Sequence, residues 1–391
     1  MKSFPRDLSA TLQRLARQFP VIAVTGPRQS GKTTLARQVF GSKPYVSLED
    51  PVELAFAQSD PRGFLQRFAQ GAIFDEAQRW PGLFSHLQGL VDSDRTPGRF
   101  VLTGSQQFGL MAGVTQSLAG RVGLTRLLPL ALSEIGPAAA QELSTQLWLG
   151  AYPALWQTER SATEANDWFG SYVASYLERD VRQLLQVQNL STFQRFVRLC
   201  AARTGTLLNL VSLAEDTGIS QPTARQWLSV LESSELVFLL PPYHRNFGKR
   251  LVKTPKLYFT DTGLAAWLIG IREPQLLLLH PLRGALFESW VVSEFRKFRC
   301  HRGLPADLYF WRDNNGLEAD LVFETTRGLQ CVEINSSQTI TADLVRAGQR
   351  AARFVNEPAP EPWLIHGAPE SYLREGVRCI SWRRFAAPLQ A

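Results

Sequence analysis

Eight residues, Gly26-Pro27-Arg28-Gln29-Ser30-Gly31-Lys32-Thr33, carry the most specific chemistry in this sequence. They fit GxxxxGK[ST], in which backbone N–H groups cradle phosphate oxygens, the lysine reaches the β- and γ-phosphates, and the hydroxyl serves Mg²⁺. The spacing therefore places Gly26, Pro27, Arg28, Gln29, Ser30, Gly31, Lys32, Thr33 and Thr34 around a nucleotide. Asp75-Glu76 follows some forty residues later. Asp75 would join Thr33 at Mg²⁺, and Glu76 would orient and deprotonate the attacking water; a solvated strand end is the plainer alternative. Thr103 and Ser105 flank Gly104 at the end of a third apolar run, where they either sit beside the γ-phosphate or form a turn. Arg121 is the candidate to neutralise charge in the transition state, with Arg126 second, and each could equally be a surface arginine. An Arg121 acting across subunits would require a homo-oligomer.

The elements that must position these groups are legible around them. Val21-Ile22-Ala23-Val24-Thr25 is an apolar, β-branched run, and Thr34 to Phe40 continues after the loop with helical spacing. That is the strand, glycine turn and helix the motif requires. A short amphipathic helix precedes it, with Leu8, Leu12, Leu15 and Ala16 on one face. Further strands are expected at Tyr45–Leu48, before Asp75, and at Arg99–Leu102, with Glu49-Asp50-Pro51 turning into a helix. Strands alternating with helices imply an α/β, mainly parallel sheet with the ligand at its carboxyl ends. Asp75-Glu76-Ala77-Gln78 also resembles a helicase box. A helicase would need a second motor domain before Gly120-Arg121, and the intervening stretch is too short to hold one.

Residues 141–190 read as a helical lid or linker whose aromatics, among them Trp148, Tyr152, Trp168 and Tyr172, are core rather than a stacking platform. Glu178 to Arg182 carries charges that read as a salt-bridged helix surface, with reach toward the nucleotide as the alternative. Residues 191–275 follow another plan. A helix ended by Gly218 and a second one capped by Ser220, with Pro222 in its first turn, make a helix-turn-helix. Strands at Leu236–Leu240 and Lys256–Thr260 enclose a basic hairpin, which gives a winged-helix plan. Thr223, Arg225 and Gln226 would face a DNA groove, and Arg245, Lys249 and Arg250 would lie on phosphates; protein contact is the competing use of the fold.

In residues 276–391 a helix carrying Glu288 leads to strands carrying Asp320 and Glu333. Helix Glu, strand Asp and strand Glu-x-Lys is the order of PD-(D/E)xK nucleases, whose carboxylates bind Mg²⁺. The lysine position is Asn335, which is neutral, so cleavage loses a major electrostatic contribution. A nuclease-like but degenerate domain is expected, with Glu288, Asp320 and Glu333 as a vestigial metal site.

Composition sets the outer bounds. The chain has 391 residues, 45% of them hydrophobic, with ten Trp, enough for two or three well-packed domains. A net charge of +7 favours an anionic partner, nucleic acid being the usual one. Cys200, Cys300, Cys331 and Cys379 are scattered, without zinc-ligand spacing, and read as reduced thiols. Neither a signal-peptide core nor a membrane-length apolar run is present, so a cytoplasmic location is expected.

With these residues in view, the chain resembles a prokaryotic family of ATP-binding proteins that fuse an AAA-type ATPase domain to a C-terminal domain of unknown function. The resemblance rests on Thr25 to Leu35, Phe74 to Phe84, Leu102 to Gln106, Leu118 to Arg121, Tyr258 to Leu264, Gly284 to Glu288 and Tyr309 to Arg312. It implies ATP and Mg²⁺ as ligands, a winged-helix region and a restriction-endonuclease-like tail. The sequence therefore suggests four segments, 1–140 (ATPase), 141–190, 191–275 and 276–391. The expected function is an ATPase whose nucleotide state controls binding to double-stranded DNA or another partner. The alternatives are an ATP-gated nuclease and a non-enzymatic, nucleotide-sensing scaffold.

Overall fold

The computed structural model describes residues 4–104, 117–136, 142–175, 189–243, 254–313, 316–355 and 360–384. Ser105, Arg245, Lys249, Arg250 and the charged stretch Glu178–Arg182 lie outside the described residues.

Helix α1 (Leu8–Ala16) buries Leu8 and Leu12 and packs Leu15 and Ala16 against the sheet. Strand β1 (Val21–Thr25) is buried along its whole length, as an interior parallel strand must be. It feeds the glycine turn into α2 (Lys32–Val39), followed by β2 (Tyr45–Ser47). Asp50 caps α3 (Pro51–Ser59) by accepting from the Val52 N–H at 2.8 Å, with Pro51 in the first turn. Then come α4 (Pro61–Gln66), β3 (Ala72–Asp75), α5 (Gly82–Ser93), β4 (Phe100–Thr103) and β5 (Val122–Arg126). All pairings in this sheet are parallel, in the order β2-β3-β4-β1-β5. One face packs Phe64, Phe74 and Phe100, and the other packs Leu8, Leu12, Ile22 and Leu35. Strand β5 was not expected from sequence. It is short, lies at the sheet edge with Leu124 exposed, and contains Gly123, so its pattern is weak. A Cβ at Gly123 would stand 3.1–3.2 Å from the Phe19, Ile22 and Leu15 side chains.

The middle of the chain forms α6 (Leu132–Ile135), α7 (Leu143–Leu149), α8 (Ala162–Tyr172) and α9 (Leu190–Ala202). Trp148, Tyr152, Phe169 and Tyr172 are buried, in line with a core role. After β6 (Thr206–Leu207), α10 (Leu210–Thr217) is capped by Asn209 and stopped by Gly218 at φ +80°. Ser220 caps α11 (Gln221–Ser233) through the Thr223 N–H, with Pro222 in the first turn. Strands β7 (Val237–Leu240) and β8 (Lys256–Phe259) complete an antiparallel sheet ordered β6-β8-β7, and α12 (Thr262–Leu268) follows.

The last third consists of a long helix, α13 (Arg283–His301), then β9 (Tyr309–Arg312), β10 (Glu318–Thr325), β11 (Gly328–Asn335), α14 (Ala342–Val355), β12 (Trp363–His366), β13 (Tyr372–Arg374) and β14 (Val377–Ser381). The six strands form a mixed sheet ordered β13-β14-β12-β11-β10-β9. One hydrophobic core runs from Leu130 to Trp382, so the middle and C-terminal segments share their interior. Backbone bonds reinforce the joint: the Tyr243 N–H donates to the Phe310 carbonyl at 2.7 Å, and the Phe310 N–H to that of Pro241 at 3.1 Å.

Candidate nucleotide site

The loop after β1 is built from backbone that few residues tolerate. Gly26 (φ +143°), Gln29 (φ +61°) and Gly31 (φ +95°) all have positive φ within six residues. Alternating backbone of this kind turns N–H groups inward and makes an anion nest at the start of α2. At Gly26 a Cβ would lie 2.1 Å from the Leu127 carbonyl oxygen, so only glycine lets the loop pass β5. The buried Ser30 hydroxyl has no hydrogen-bond partner among the described residues. The cradle and this orphaned hydroxyl fit a phosphate-bearing ligand.

Lys32 is buried, and its Nζ donates to the carbonyls of Gly26 at 3.1 Å and Pro27 at 2.8 Å. Burial lowers its pKa to about 8, although Glu76 and Asp75 pull it upward. Asp75, at the end of β3, accepts from three hydroxyls: Thr33 at 2.9 and 3.0 Å, Tyr45 at 2.8 Å, and Thr103 at the end of β4. Thr33 and Asp75 are thus in direct contact and would hold Mg²⁺ between them. The same hydroxyls orient the carboxylate.

Glu76, the next residue, adopts left-handed backbone (φ +53°), a conformation that costs about 1–3 kcal/mol in a non-glycine residue. The turn re-aims its carboxylate, which accepts from the Gln78 side-chain amide. Arg28, in the phosphate loop, and Arg79, after β3, both pair with Glu49, at 3.7 and 3.3 Å.

The two arginines of the β5 region part company. The Arg121 carbonyl accepts from the Val21 N–H, so Arg121 stands beside the first residue of β1. The phosphate loop leaves the opposite end, roughly 13 Å away at 3.3 Å per residue. Its guanidinium is held by Asp92 at 2.7 and 2.9 Å. The expectation that Arg121 lies at the phosphates therefore does not hold within its own chain. Arg126 is the arginine at the correct end, in register with Thr25, and its Nε is 2.9 Å from Glu235 Oε1. Glu235 also binds Arg296 of α13.

Sequence reasoning missed Arg6, whose guanidinium props the phosphate loop from behind. It donates to the Ser30 and Leu128 carbonyls, both at 2.7 Å, and lies 3.1 Å from the Glu134 carboxylate. His301, at the end of α13, accepts the Leu128 N–H at Nε2, so its ring proton sits on Nδ1, 3.4 Å from Glu134. Burial alone would raise the Glu134 carboxyl, but His301, Arg6 and the Ala131 N–H outweigh it and hold the pKa at about 2. Glu294 and Lys297 of the same helix bond the Leu132 N–H and the Leu130 carbonyl. No motif announces these contacts, because their partners lie far away in sequence.

Elsewhere, Arg225 and Gln226 are exposed on α11, with Thr223 half-exposed. The run Tyr258 to Leu264 proves to be a packing joint. Asp261 caps α12 through the Leu264 N–H and also accepts from Ala151, while Gly263 lies against the backbone of Leu149 and Gly150. Glu288, Asp320 and Glu333 do come together, but Glu288 and Asp320 face the ammonium of Lys256. Among the described residues no group of three or more His, Cys, Asp or Glu side chains is arranged to hold a metal ion. The vestigial metal site is thus an ion-pair cluster. Nor, among the described residues, is any helix long and apolar enough to cross a membrane.

Comparison with known proteins agrees with the phosphate-loop geometry. Residues 18–136 match the AAA domain family, residues 140–275 a domain of unknown function (DUF8612), and residues 283–385 another (DUF4143). Among solved structures, a Walker-type ATPase of Pyrococcus abyssi is similar at a TM-score of 0.45 and 13% identity, over 67% of this chain and 94% of that one. AMPPCP-bound DnaA of Aquifex aeolicus is similar at 0.31 and 15%, over 58% and 86%. Uncharacterized proteins of Mycobacterium bovis and Mycobacterium tuberculosis are each 36% identical over 337 residues, covering 85% of this chain and 74% of theirs. The chain belongs to the family of these two mycobacterial proteins and carries an AAA-type P-loop domain followed by a DUF4143 domain.

Proposed function

We propose that the protein is a cytoplasmic, Mg²⁺-dependent ATPase whose nucleotide state controls its grip on double-stranded DNA. The observation that carries the ATPase reading is the contact of Thr33 and Thr103 with Asp75 beside a glycine-built phosphate nest. Bound Mg²⁺ would draw charge from the phosphate oxygens. Thr33 and Asp75 would hold it, Lys32 would turn from its carbonyls to the phosphates, and Glu76 would take the proton of the attacking water. A Lys32 lowered toward neutrality by burial regains full charge beside an anionic ligand. Arg121 serves a neighbouring subunit or none, and Arg126 is the arginine placed to respond within the chain. Ser105 remains a candidate at the γ-phosphate.

The output rests on a winged-helix reading of 191–275, with 1–140, 141–190 and 276–391 as its companion units. Two connections, the first buried and the second half-exposed at Arg126, support communication: Arg6 and Glu134 to His301, and Arg126 through Glu235 to Arg296. Both end on α13, so a shift of the phosphate loop bears on one helix. Arg225, Arg245, Lys249 and Arg250 supply the cations for DNA phosphates and groove. The test is duplex-DNA affinity measured with ATP and with ADP, in wild type and in the Arg245/Lys249/Arg250→Ala variant. The proposal expects a nucleotide-dependent affinity that the triple variant loses. Identical affinity in all four measurements contradicts it.

A further inference from the structure

Four carboxylates from three elements converge on the C-terminal sheet: Glu288 on α13, Glu318 and Asp320 on β10, and Glu333 on β11. Glu318 and Asp320 are two apart on one strand and so share a face. The position expected to supply a lysine holds Asn335, whose side-chain oxygen accepts from the Ser337 N–H at 2.9 Å. The cation comes from another sheet. Lys256 of β8 is buried, with its Nζ 2.8 Å from Glu288 Oε1, in contact with Glu318 Oε1, and 3.6 Å from Asp320 Oδ1. Tyr258, on the same face of β8, donates to the same Glu288 oxygen at 2.6 Å.

We infer that Lys256 is the built-in cation of this cluster, standing where a divalent metal would need to stand and pinning the middle sheet to the C-terminal one. A metal ion would bind these carboxylate oxygens at about 2.0–2.6 Å, the space their contacts with the ammonium now fill. The two cations compete for one position and repel each other. Among the described residues Arg312, 3.4 Å from Glu318 Oε2, is the other base in contact, so there four acids face two bases. The surplus shows in Asp320, which burial and then Glu288 and Glu333 hold well above the usual carboxylate range despite Lys256. Removing the ammonium leaves a set of acids that needs another cation. The cluster is separate from the nucleotide site, so this inference stands or falls independently of the ATPase reading.

Mn²⁺ binding to the metal-free, nucleotide-free full-length protein, followed by titration calorimetry and by thermal unfolding, tests it. Wild type should show no saturable binding and no shift in melting temperature. Lys256→Met should melt lower, bind Mn²⁺ and recover most of its lost melting temperature with the ion, whereas Lys256→Met with Asp320→Asn should not bind. Should Lys256→Met fail to fold without metal, Lys256→Met with Glu288→Gln carries fewer unpaired charges and should still bind Mn²⁺. Saturable binding by wild type that Asp320→Asn abolishes overturns the inference, as does metal-dependent DNA cleavage by wild type that Lys256→Met destroys. Failure of both folded Lys256 variants to bind Mn²⁺ overturns it as well.

Discussion

Lys32 and Lys256 are both buried, and both lie in the field of nearby carboxylates, yet burial wins at one and loses at the other. At Lys32 it lowers the pKa to about 8, because among the described residues Nζ touches only neutral carbonyls while Glu76 and Asp75 act from beyond contact. At Lys256 burial also pulls downward, but Asp320, Glu288 and Glu318 outweigh it and hold the group above its ordinary value. Contact distance decides the sign. The first lysine is short of anionic partners and suited to acquire one; the second is already satisfied. We propose a mobile, reactive role for the first and a structural one for the second.

Substituting each lysine should separate these roles. Lys32→Met should reduce ATP turnover by about 100-fold or more, yet leave the melting temperature at or above wild type, since a desolvated cation is removed. Lys256→Met should cost about 3–5 kcal/mol in denaturant unfolding, the usual result of orphaning one side of a buried ion pair. Equal loss of stability in both variants would erase the distinction. Arg6→Ala, which removes one of the partners of the buried Glu134 and frees the Ser30 and Leu128 carbonyls, should cost about 3 kcal/mol and raise the KM for ATP. A KM unchanged from wild type would mean the prop does not shape the loop.

The two regions should also respond oppositely to pH. Glu134 has its folded pKa depressed to about 2, so its contribution is present above the ordinary carboxylate range and is lost as pH falls toward 2. Glu333 is raised to about 7 by burial, then by Glu318 and Glu288, so the folded state holds its proton more tightly. Its contribution is complete below the ordinary glutamate pKa and fades as pH rises to about 7. Stability curves of Glu333→Gln should therefore be flatter than wild type between those limits, and curves of equal slope would remove Glu333 from the account. The smallest effect is expected for Arg121→Ala, which should leave the nucleotide affinity of a dilute, monomeric preparation unchanged.

What the sequence made legible follows from locality. The phosphate loop, the Glu49-Asp50-Pro51 turn into a helix, the Ser220 cap, the Gly218 stop and the Asp75-Glu76 strand end are each decided by a few adjacent residues, and each stands where expected. Strand β5 was not, since a five-residue edge strand containing glycine carries little pattern, and with it Arg121 was placed at the wrong end of the sheet. Strands β12 to β14 and helix α14 were not anticipated either. Arg6, Glu134, His301 and Lys256 were invisible for a different reason. Their meaning lies in contacts across 24 to 173 positions of chain, which no local spacing encodes. Asn335 was read as the position of a lost lysine; that Lys256 reaches the same carboxylates from another sheet required the fold.

The central claim, that Asp75 and Glu76 serve a hydrolytic ATP site, is tested most directly by one comparison. ATP binding and turnover should be measured side by side in wild type and Glu76→Gln. The account predicts that the variant keeps ATP affinity within about threefold, since no phosphate contact is removed, and loses turnover by about 100-fold, as expected when a general base is removed. Turnover that survives Glu76→Gln, or a wild type that does not bind ATP, contradicts it.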